Sequence, residues 1–306
     1  MSFSSDIKME LLGLALNRDE SIAALCALAR TIGTITYRTR GNALIFKTES
    51  NPVARWIYTR IKNIYSYECD IRVSQSNNLR KKKIFEVLVD FENINEVFKD
   101  LDLSPSPFES NSRVKEDLLD SDEKKKAYLM GAFLGTGYTH DPNKRYQLEI
   151  SMKNEASCLQ VEEISEAYGI KGNVFQRNDF FVFYIKEAEM ISDFLALIKA
   201  YNSVLRFEDI RAMKDIKNNV NRRVNFETAN LNKTIDASFN QRLIIEKIDK
   251  RIGIENLDKD LLDLAEVRIK NPDMSLKELG ESMDPPLTKS QVNYRLNKLK
   301  KIAEEI

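Results

Sequence analysis

One order of elements occurs twice in this chain, and that repetition restricts the fold more than any other feature. Residues 21–33 place Ile22, Leu25, Leu28, Ala29 and Ile32 at helical spacing and end on Gly33, the usual residue past a helix end. Two β-type runs follow, Thr34–Arg38 and Ala43–Thr48, with Arg40, Gly41 and Asn42 as a hairpin turn between them. Asn51-Pro52 opens a helix to about Tyr65, with Pro at the first helical position where its missing N–H costs nothing. Strands are predicted at 68–74 and 83–90, and a short helix near 93–100 closes the unit. The stretch from Ile84 to Val89 is apolar enough to be buried on both faces.

Residues 101–120, with Pro105 and Pro107, read as an extended crossover, after which the same order returns. Ser121 or Asp122 caps a helix through Leu134. Strands fall at 137–140 and 146–152, a helix at Asn154–Tyr168, strands at 172–177 and 180–185, and a helix at 187–200. Tyr146, Leu148, Ile150 and Met152 alternate with Gln147, Glu149 and Ser151, which predicts one packed face and one wet face. Two α-β-β-α-β-β-α units, with Gly33 and Gly137 in matching places, predict a duplicated α+β domain. Chance recurrence of a common unit is the alternative.

Composition removes several function classes. The chain has 306 residues, enough for two domains or three small ones. Its longest apolar run, Ile22–Ala29, is far below the roughly 20 residues that cross a bilayer, and no basic-then-apolar leader opens it. No membrane partner is expected, and a cytoplasmic location is. Three scattered cysteines, Cys26, Cys69 and Cys158, give no disulfide framework or thiolate zinc site, and a single His disfavours a Ser-His or Cys-His enzyme. The 47 Lys+Arg balance 47 Asp+Glu, but that zero is an average over unlike regions. Arg211–Lys233 holds six basic residues against two acidic ones, and Leu287–Ala303 holds five cations and no acid.

The segment Leu129–Gly137 has Gly131, Ala132 and Gly135 on a helix, a surface on which another helix backbone can approach closely. It lacks the strand-turn context of a dinucleotide fingerprint and the Lys of a P-loop. It resembles the nine-residue LAGLIDADG motif of homing endonucleases, keeping Leu129, Gly131 and Gly137, and Leu25–Gly33 resembles a weaker copy. In that family the motif helices pair at a pseudo-twofold axis, and an acidic residue before each final Gly binds the metals of DNA cleavage. Those positions here are Ile32 and Thr136, which offer no anionic ligand, so no catalytic residue, metal or cofactor is expected. Asp141 and Asp19 read as a turn residue and a helix-start residue, and His140 as a turn residue beside Asp141-Pro142.

Near the C-terminus, Leu257, Leu261, Leu264, Ala265 and Ile269 form one helical face ended by Asn271-Pro272. Ser275 with Glu278 is a capping box opening a second helix with Leu276, Leu279 and Met283, stopped by Asp284-Pro285-Pro286. Thr288 with Gln291 is another, opening a third helix striped by Val292, Leu296 and Leu299. Three such helices predict a helix-turn-helix whose third helix enters the major groove. Ser290, Gln291, Asn293 and Tyr294 then face base edges, Gln and Asn being able to bond adenine bidentately, while Arg295 and Lys298 face phosphates. A solvated helix at a chain end has a similar composition.

The whole chain resembles the WhiA family of bacterial DNA-binding proteins. The resemblance rests on Gly131–Leu134 with Asp141-Pro142, on Asn221-Arg222, Val224-Asn225, Glu227–Asn230 and Lys233, and on Ser275–Gly280, Asp284–Leu287, Lys289-Ser290, Val292-Asn293 and Arg295-Leu296. It implies a pseudo-twofold duplicated LAGLIDADG-like α+β domain over 1–206, with halves of about 1–104 and 121–206. A basic linker at 207–222 and an all-α helix-turn-helix domain at 223–306 follow. The DNA-binding set expected from these residues is Lys217, Asn221, Arg222, Arg223, Asn225, Asn230, Lys233, Ser275, Lys277, Thr288, Lys289, Ser290, Gln291, Asn293, Tyr294, Arg295 and Lys298.

The family resemblance implies a non-enzymatic transcriptional regulator acting in cell division and chromosome segregation, and in sporulation in spore-forming relatives. Its expected partners are double-stranded DNA at the nucleoid, and RNA polymerase or another transcription factor. The alternatives are a scaffold that recruits transcription or division machinery through the N-terminal domain and, ranked below it, a metal-dependent endonuclease. The family commonly carries a small residue and His where this chain has Gln291 and Tyr294, so the preferred DNA site is expected to differ.

Overall fold

A computed structural model describes residues 2–37, 42–75, 82–90, 94–106 and 112–306. The chain divides into two compact units, Met1–Lys214 and Asp215–Ile306.

The first unit holds two four-stranded antiparallel sheets of identical order. In one, β1 (Gly33–Thr36), β2 (Ala43–Thr48), β3 (Asp70–Gln75) and β4 (Lys83–Val89) lie in the order β1-β2-β4-β3. In the other, β5 (Tyr138–Thr139), β6 (Leu148–Met152), β7 (Asn173–Arg177) and β8 (Phe180–Ile185) lie in the order β5-β6-β8-β7. The repeated topology is the predicted duplication, now visible as pairing rather than as spacing. Val87, Leu88 and Val89 are buried in succession, as expected for a strand covered on both faces. Arg40, Gly41, Pro107 and residue 93 of the predicted turn, crossover and short helix lie outside the described residues.

Helices cover the sheets: α1 (Phe3–Leu12), α2 (Arg18–Thr31), α3 (Asn51–Tyr65), α4 (Ile94–Asp100), α5 (Asp122–Thr136), α6 (Glu155–Ala167) and α7 (Ala188–Leu197). Their starts are written locally. Asn17 and Glu20 form a capping box on α2, Ser50 caps α3 ahead of Pro52, Ser121 caps α5 and Asn154 caps α6. The two motif helices, α2 and α5, pack backbone against backbone. A Cβ on Gly131 would stand 2.2 Å from the carbonyl oxygen of Ala24, so only glycine permits the approach.

The alternation in β6 needs one correction. Leu148, Ile150 and Met152 are buried as expected, but Glu149 on the opposite face is buried too, held by Arg177 at 2.9 Å and Gln147 at 2.6 Å. A carboxylate accepts burial when paired, which strict alternation cannot signal.

Arg30 on α2 is also buried. Its guanidinium donates to the carbonyls of Ser112, Cys26, Leu101 and Asp102 at 3.0–3.2 Å and lies 4.0 Å from the buried Asp102 carboxylate. Lys115 joins the same carboxylate at 3.1 Å.

A single helix, α8 (Tyr201–Ile252), runs through the boundary between the units. The predicted linker at 207–222 is therefore helical. No Gly or Pro occurs from Tyr201 to Ile252, and Asn costs a helix only about 0.7 kcal/mol at most, so an Asn-rich stretch weakens a helix without ending it. Glu10 of α1 caps the start of α8, accepting from the N–H groups of Asn202 and Ser203 at 2.7 and 2.9 Å.

The second unit continues with α9 (Lys259–Lys270), α10 (Leu276–Glu281) and α11 (Lys289–Glu305). Its core joins Ile245 and Ile248 of α8 with Leu261, Leu264 and Ala265, Leu279 and Met283, and Val292, Leu296, Leu299 and Ala303. Ile269 departs from the expected apolar face and is 41% exposed, whereas its neighbour Arg268 is 1% exposed.

Candidate nucleic-acid interface

The capping boxes that frame α10 and α11 are both formed. Ser275 accepts from the Glu278 N–H at 3.3 Å while Glu278 accepts from the Ser275 N–H at 2.8 Å. The serine hydrogen bonds hold the Glu278 carboxyl below its ordinary range. Thr288 and Gln291 make the same reciprocal pair at 3.3 and 2.8 Å. Gln291 therefore spends its carbonyl oxygen on the cap, leaving its amide N–H₂ but not the donor-acceptor pair that bidentate adenine contact needs.

Opposite the buried stripe of α11, Ser290, Tyr294, Asn297 and Lys301 recur at i, i+4, i+7 and i+11 and are exposed. Asn293 and Lys289 flank this row, also exposed. Asn297 and Lys301 were outside the expected set, although their spacing from Tyr294 placed them on its face. Tyr294 is 63% exposed, and the Lys298 ammonium lies 5.6 Å from its ring centroid. From Lys289 to Ala303 α11 carries no acid.

Arg295 is placed differently. Its guanidinium donates to the Asp260 carboxylate at 3.0 Å and to the Asp260 carbonyl at 3.2 Å, tying α11 to α9. Arg295 and Lys298 line a cavity of 480 Å³ that also holds Asp258 and Asp260. That side of α11 is part-neutralised.

The other side is not. Lys233, Gln241, Arg268, Ser275, Lys277 and Lys289 line a second cavity, of 280 Å³. Four of the seventeen sequence-nominated residues meet there: Lys233, Ser275, Lys277 and Lys289.

The nominated residues on α8 do not share one face. Lys217, Asn221 and Asn225 form one column, Arg222 and Lys233 a second, and Arg223 and Asn230 a third, by helical spacing. All are exposed, and Arg223 is paired with Glu227 at 2.9 Å. Only Lys233 joins the cavity beside α10 and α11.

In the first unit, Thr136 ends α5 with its hydroxyl donating to the Ser151 carbonyl at 2.6 Å, and Ile32 follows α2. Lys153 donates to the Gly33 carbonyl at 3.1 Å, so a cation stands beside one motif end. Asp141 accepts from the Asn143 N–H at 3.0 Å, and these asparagine hydrogen bonds hold its carboxyl below the ordinary range. His140 meets Arg145 and stacks edge-on to Tyr138, and desolvation with the nearby Arg145 pulls its pKa down. In the sheets, Lys47 pairs with Glu86 at 2.9 Å and Arg177 with Glu149 at 2.9 Å.

Comparison with known proteins agrees with this division. Residues 18–104 match the WhiA N-terminal LAGLIDADG-like domain, 125–217 the WhiA LAGLIDADG-like domain and 220–303 the WhiA C-terminal HTH domain. A protein of Clostridium tetani named "Probable cell division protein WhiA" is 42% identical over all of this chain and 98% of its own length. A protein of the same name from Clostridium perfringens is 38% identical, again over all of this chain and 98% of its own length. The crystal structure of full-length DUF199/WhiA from Thermatoga maritima matches with a TM-score of 0.61 at 24% identity, covering 100% of this chain and 99% of that one, a likeness of fold. With its duplicated sheets, paired motif helices and C-terminal helix-turn-helix, this chain belongs to the WhiA family.

Proposed function

We propose that this chain is a non-enzymatic DNA-binding regulator, acting at the nucleoid in the cytoplasm on genes of cell division and chromosome segregation. The observation that carries the DNA reading is the outward row of α11. Ser290, Tyr294 and Asn297 offer hydrogen-bonding and stacking groups, Lys301 and Lys289 offer charge, and no acid interrupts them. Side chains so arranged suit base edges in the major groove, with phosphates on either side. The cell-division setting is supported by relatives named as probable cell division proteins, and chromosome segregation is part of the proposal alone. RNA polymerase or another transcription factor is the protein partner proposed for the regulator.

The non-enzymatic part rests on Ile32 and Thr136. Neither side chain supplies the anionic oxygen that Mg²⁺ needs, and Asp141 is engaged in its own turn. Full-length protein is expected to bind duplex DNA with a steep salt dependence. If α11 and its surroundings meet about four phosphates, log K against log salt has a slope near −3.6. A flat salt response overturns the DNA reading. With Mg²⁺ or Mn²⁺ the protein is expected to leave plasmid DNA intact, and cleavage that Asp141→Ala abolishes overturns the non-enzymatic reading.

A further inference from the structure

The 280 Å³ cavity beside α10 holds an uncompensated buried cation. Arg268 is 1% exposed, and its guanidinium donates to the carbonyls of Met274 at 2.7 Å and Asn271 at 3.5 Å. Its Nε–H has no acceptor, and no carboxylate lies within ion-pair distance of it among the described residues. Gln241, on the same cavity, has a buried and unpartnered amide oxygen. Turned over, that amide presents N–H donors instead. Three further cations, Lys233, Lys277 and Lys289, line the cavity, and none is paired across it: Lys277 reaches only Glu281 on its own helix, at 3.7 Å.

A guanidinium is effectively always charged, and a charge taken out of water without a counter-ion is strongly disfavoured. Four cations converging on one cavity with no acid among its lining residues lack only an anion. Carbonyl contacts satisfy part of Arg268 but leave its Nε–H unused. A phosphate seated at the cavity supplies the missing charge. The cavity joins residues of α8, α9, α10 and the first residue of α11, so an anion held here lies beside the helix proposed to read bases.

We propose that this cavity is a seat for one backbone phosphate of the bound DNA, with Arg268 on its buried side and Lys233, Lys277 and Lys289 around it. The proposal rests on the DNA-binding reading above and names where the strongest phosphate contact is made. In this arrangement the buried arginine contributes to DNA affinity rather than to folding. A seated phosphate fixes the register of α11 along the groove.

The test uses full-length protein and a fluorescently labelled duplex of mixed sequence across a salt series, with wild type, Arg268→Met and the exposed pair Lys277→Ala with Lys289→Ala. Thermal unfolding is followed in buffer without phosphate and with added inorganic phosphate. The expected result is that the lysine pair, by emptying a seat for one phosphate, flattens the salt slope by about 0.9. Arg268→Met weakens binding about tenfold or more while leaving thermal unfolding in phosphate-free buffer unchanged or raised, as removal of an unpaired buried charge allows.

Wild-type slope and affinity in the lysine-pair variant overturn the seat and leave the DNA reading standing. Failure of wild type to bind duplex at low salt overturns both. Stabilisation by inorganic phosphate that Arg268→Met abolishes, with duplex binding unaffected by any variant, identifies a free-phosphate site and overturns the backbone assignment. If Arg268→Met fails to fold, the lysine pair still decides the matter, because both side chains are exposed.

Discussion

Arg30 and Arg268 are both buried arginines on helices, yet they are built for different ends. Arg30 has carbonyl acceptors along its guanidinium and a buried carboxylate, Asp102, beside it. Arg268 has two carbonyls, an idle Nε–H and a lysine-lined cavity. The first is a finished internal contact that joins α2 to the crossover after α4. The second is unfinished in the protein alone. The difference teaches that burial of a charge does not reveal its purpose, whereas the census of its partners does.

The sharpest way to break the contrast is Arg30→Met. It strips donors from several carbonyls and takes the buried guanidinium away from the Asp102 carboxylate, which Lys115 still meets through its amine and its backbone N–H, both at 3.1 Å. A loss of about 3–5 kcal/mol in chemical denaturation is expected. A loss below about 1 kcal/mol would place Arg30 with Arg268 and dissolve the comparison.

Lys8 sharpens it from another side, since it is a half-buried cation that can release its proton. Desolvation lowers its pKa from 10.5 to about 8, with the Phe133 ring 6.0 Å away. The folded state then binds fewer protons than the unfolded state between about pH 8 and 10.5, so this group's contribution makes stability rise with pH across that window. The rise is on the order of 2 kcal/mol once solvent screening of a partly exposed amine is allowed for. Comparing wild type with Lys8→Met isolates it: the stability advantage of Met is expected to be largest at pH 7 and to fade by pH 10. A constant difference contradicts the burial account.

Smaller effects concern the frame that presents the cations. Thr288→Ala removes the cap of α11 and is expected to cost about 1 kcal/mol of stability. Arg295→Ala breaks a pair whose Asp260 carboxylate is largely exposed, so a stability loss below about 1 kcal/mol is expected. Its effect on DNA affinity is expected to be smaller than that of Lys289→Ala, because Arg295 already faces an acid. The reverse ranking in a binding titration would show that paired cations serve DNA as well as unpaired ones.

Much of this arrangement is legible in the sequence. Capping residues wrote the starts of α3, α5, α10 and α11, and breakers marked the ends of α9 and α10; apolar spacing alone announced α2, three residues late, because its Asn17–Glu20 capping box lies ahead of the apolar run. The helical spacing of Phe3, Ile7 and Leu11 also marks α1, which lies ahead of the repeated pattern and has no counterpart in it to draw attention to it. The continuity of α8 was obscured because Asn-rich, basic composition is shared by linkers and solvated helices. Absence of Gly and Pro was the deciding signal.

The site was only partly readable. Lys277 and Lys289 were nominated from the helices that carry them and Lys233 from α8, but nothing in the letters says that they share a cavity. Arg268 was missed altogether: a basic residue in the last turn of a helix reads as a dipole complement, and its burial depends on contacts made in three dimensions. Arg295 and Gln291 were nominated for DNA but are engaged by Asp260 and Thr288; the capping box already announced the second commitment, and only geometry reveals the first.

The cations that line the Arg268 cavity, rather than Arg295 held by Asp260 on the other side of α11, are expected to hold the DNA backbone. The most direct measurement is the salt slope of duplex binding for full-length protein carrying Lys277→Ala with Lys289→Ala, set against the slope for Arg295→Ala. The lysine pair is expected to flatten the slope by about 0.9 and Arg295→Ala to leave it almost unchanged. An unchanged slope for the lysine pair, with a flattened one for Arg295→Ala, would contradict it.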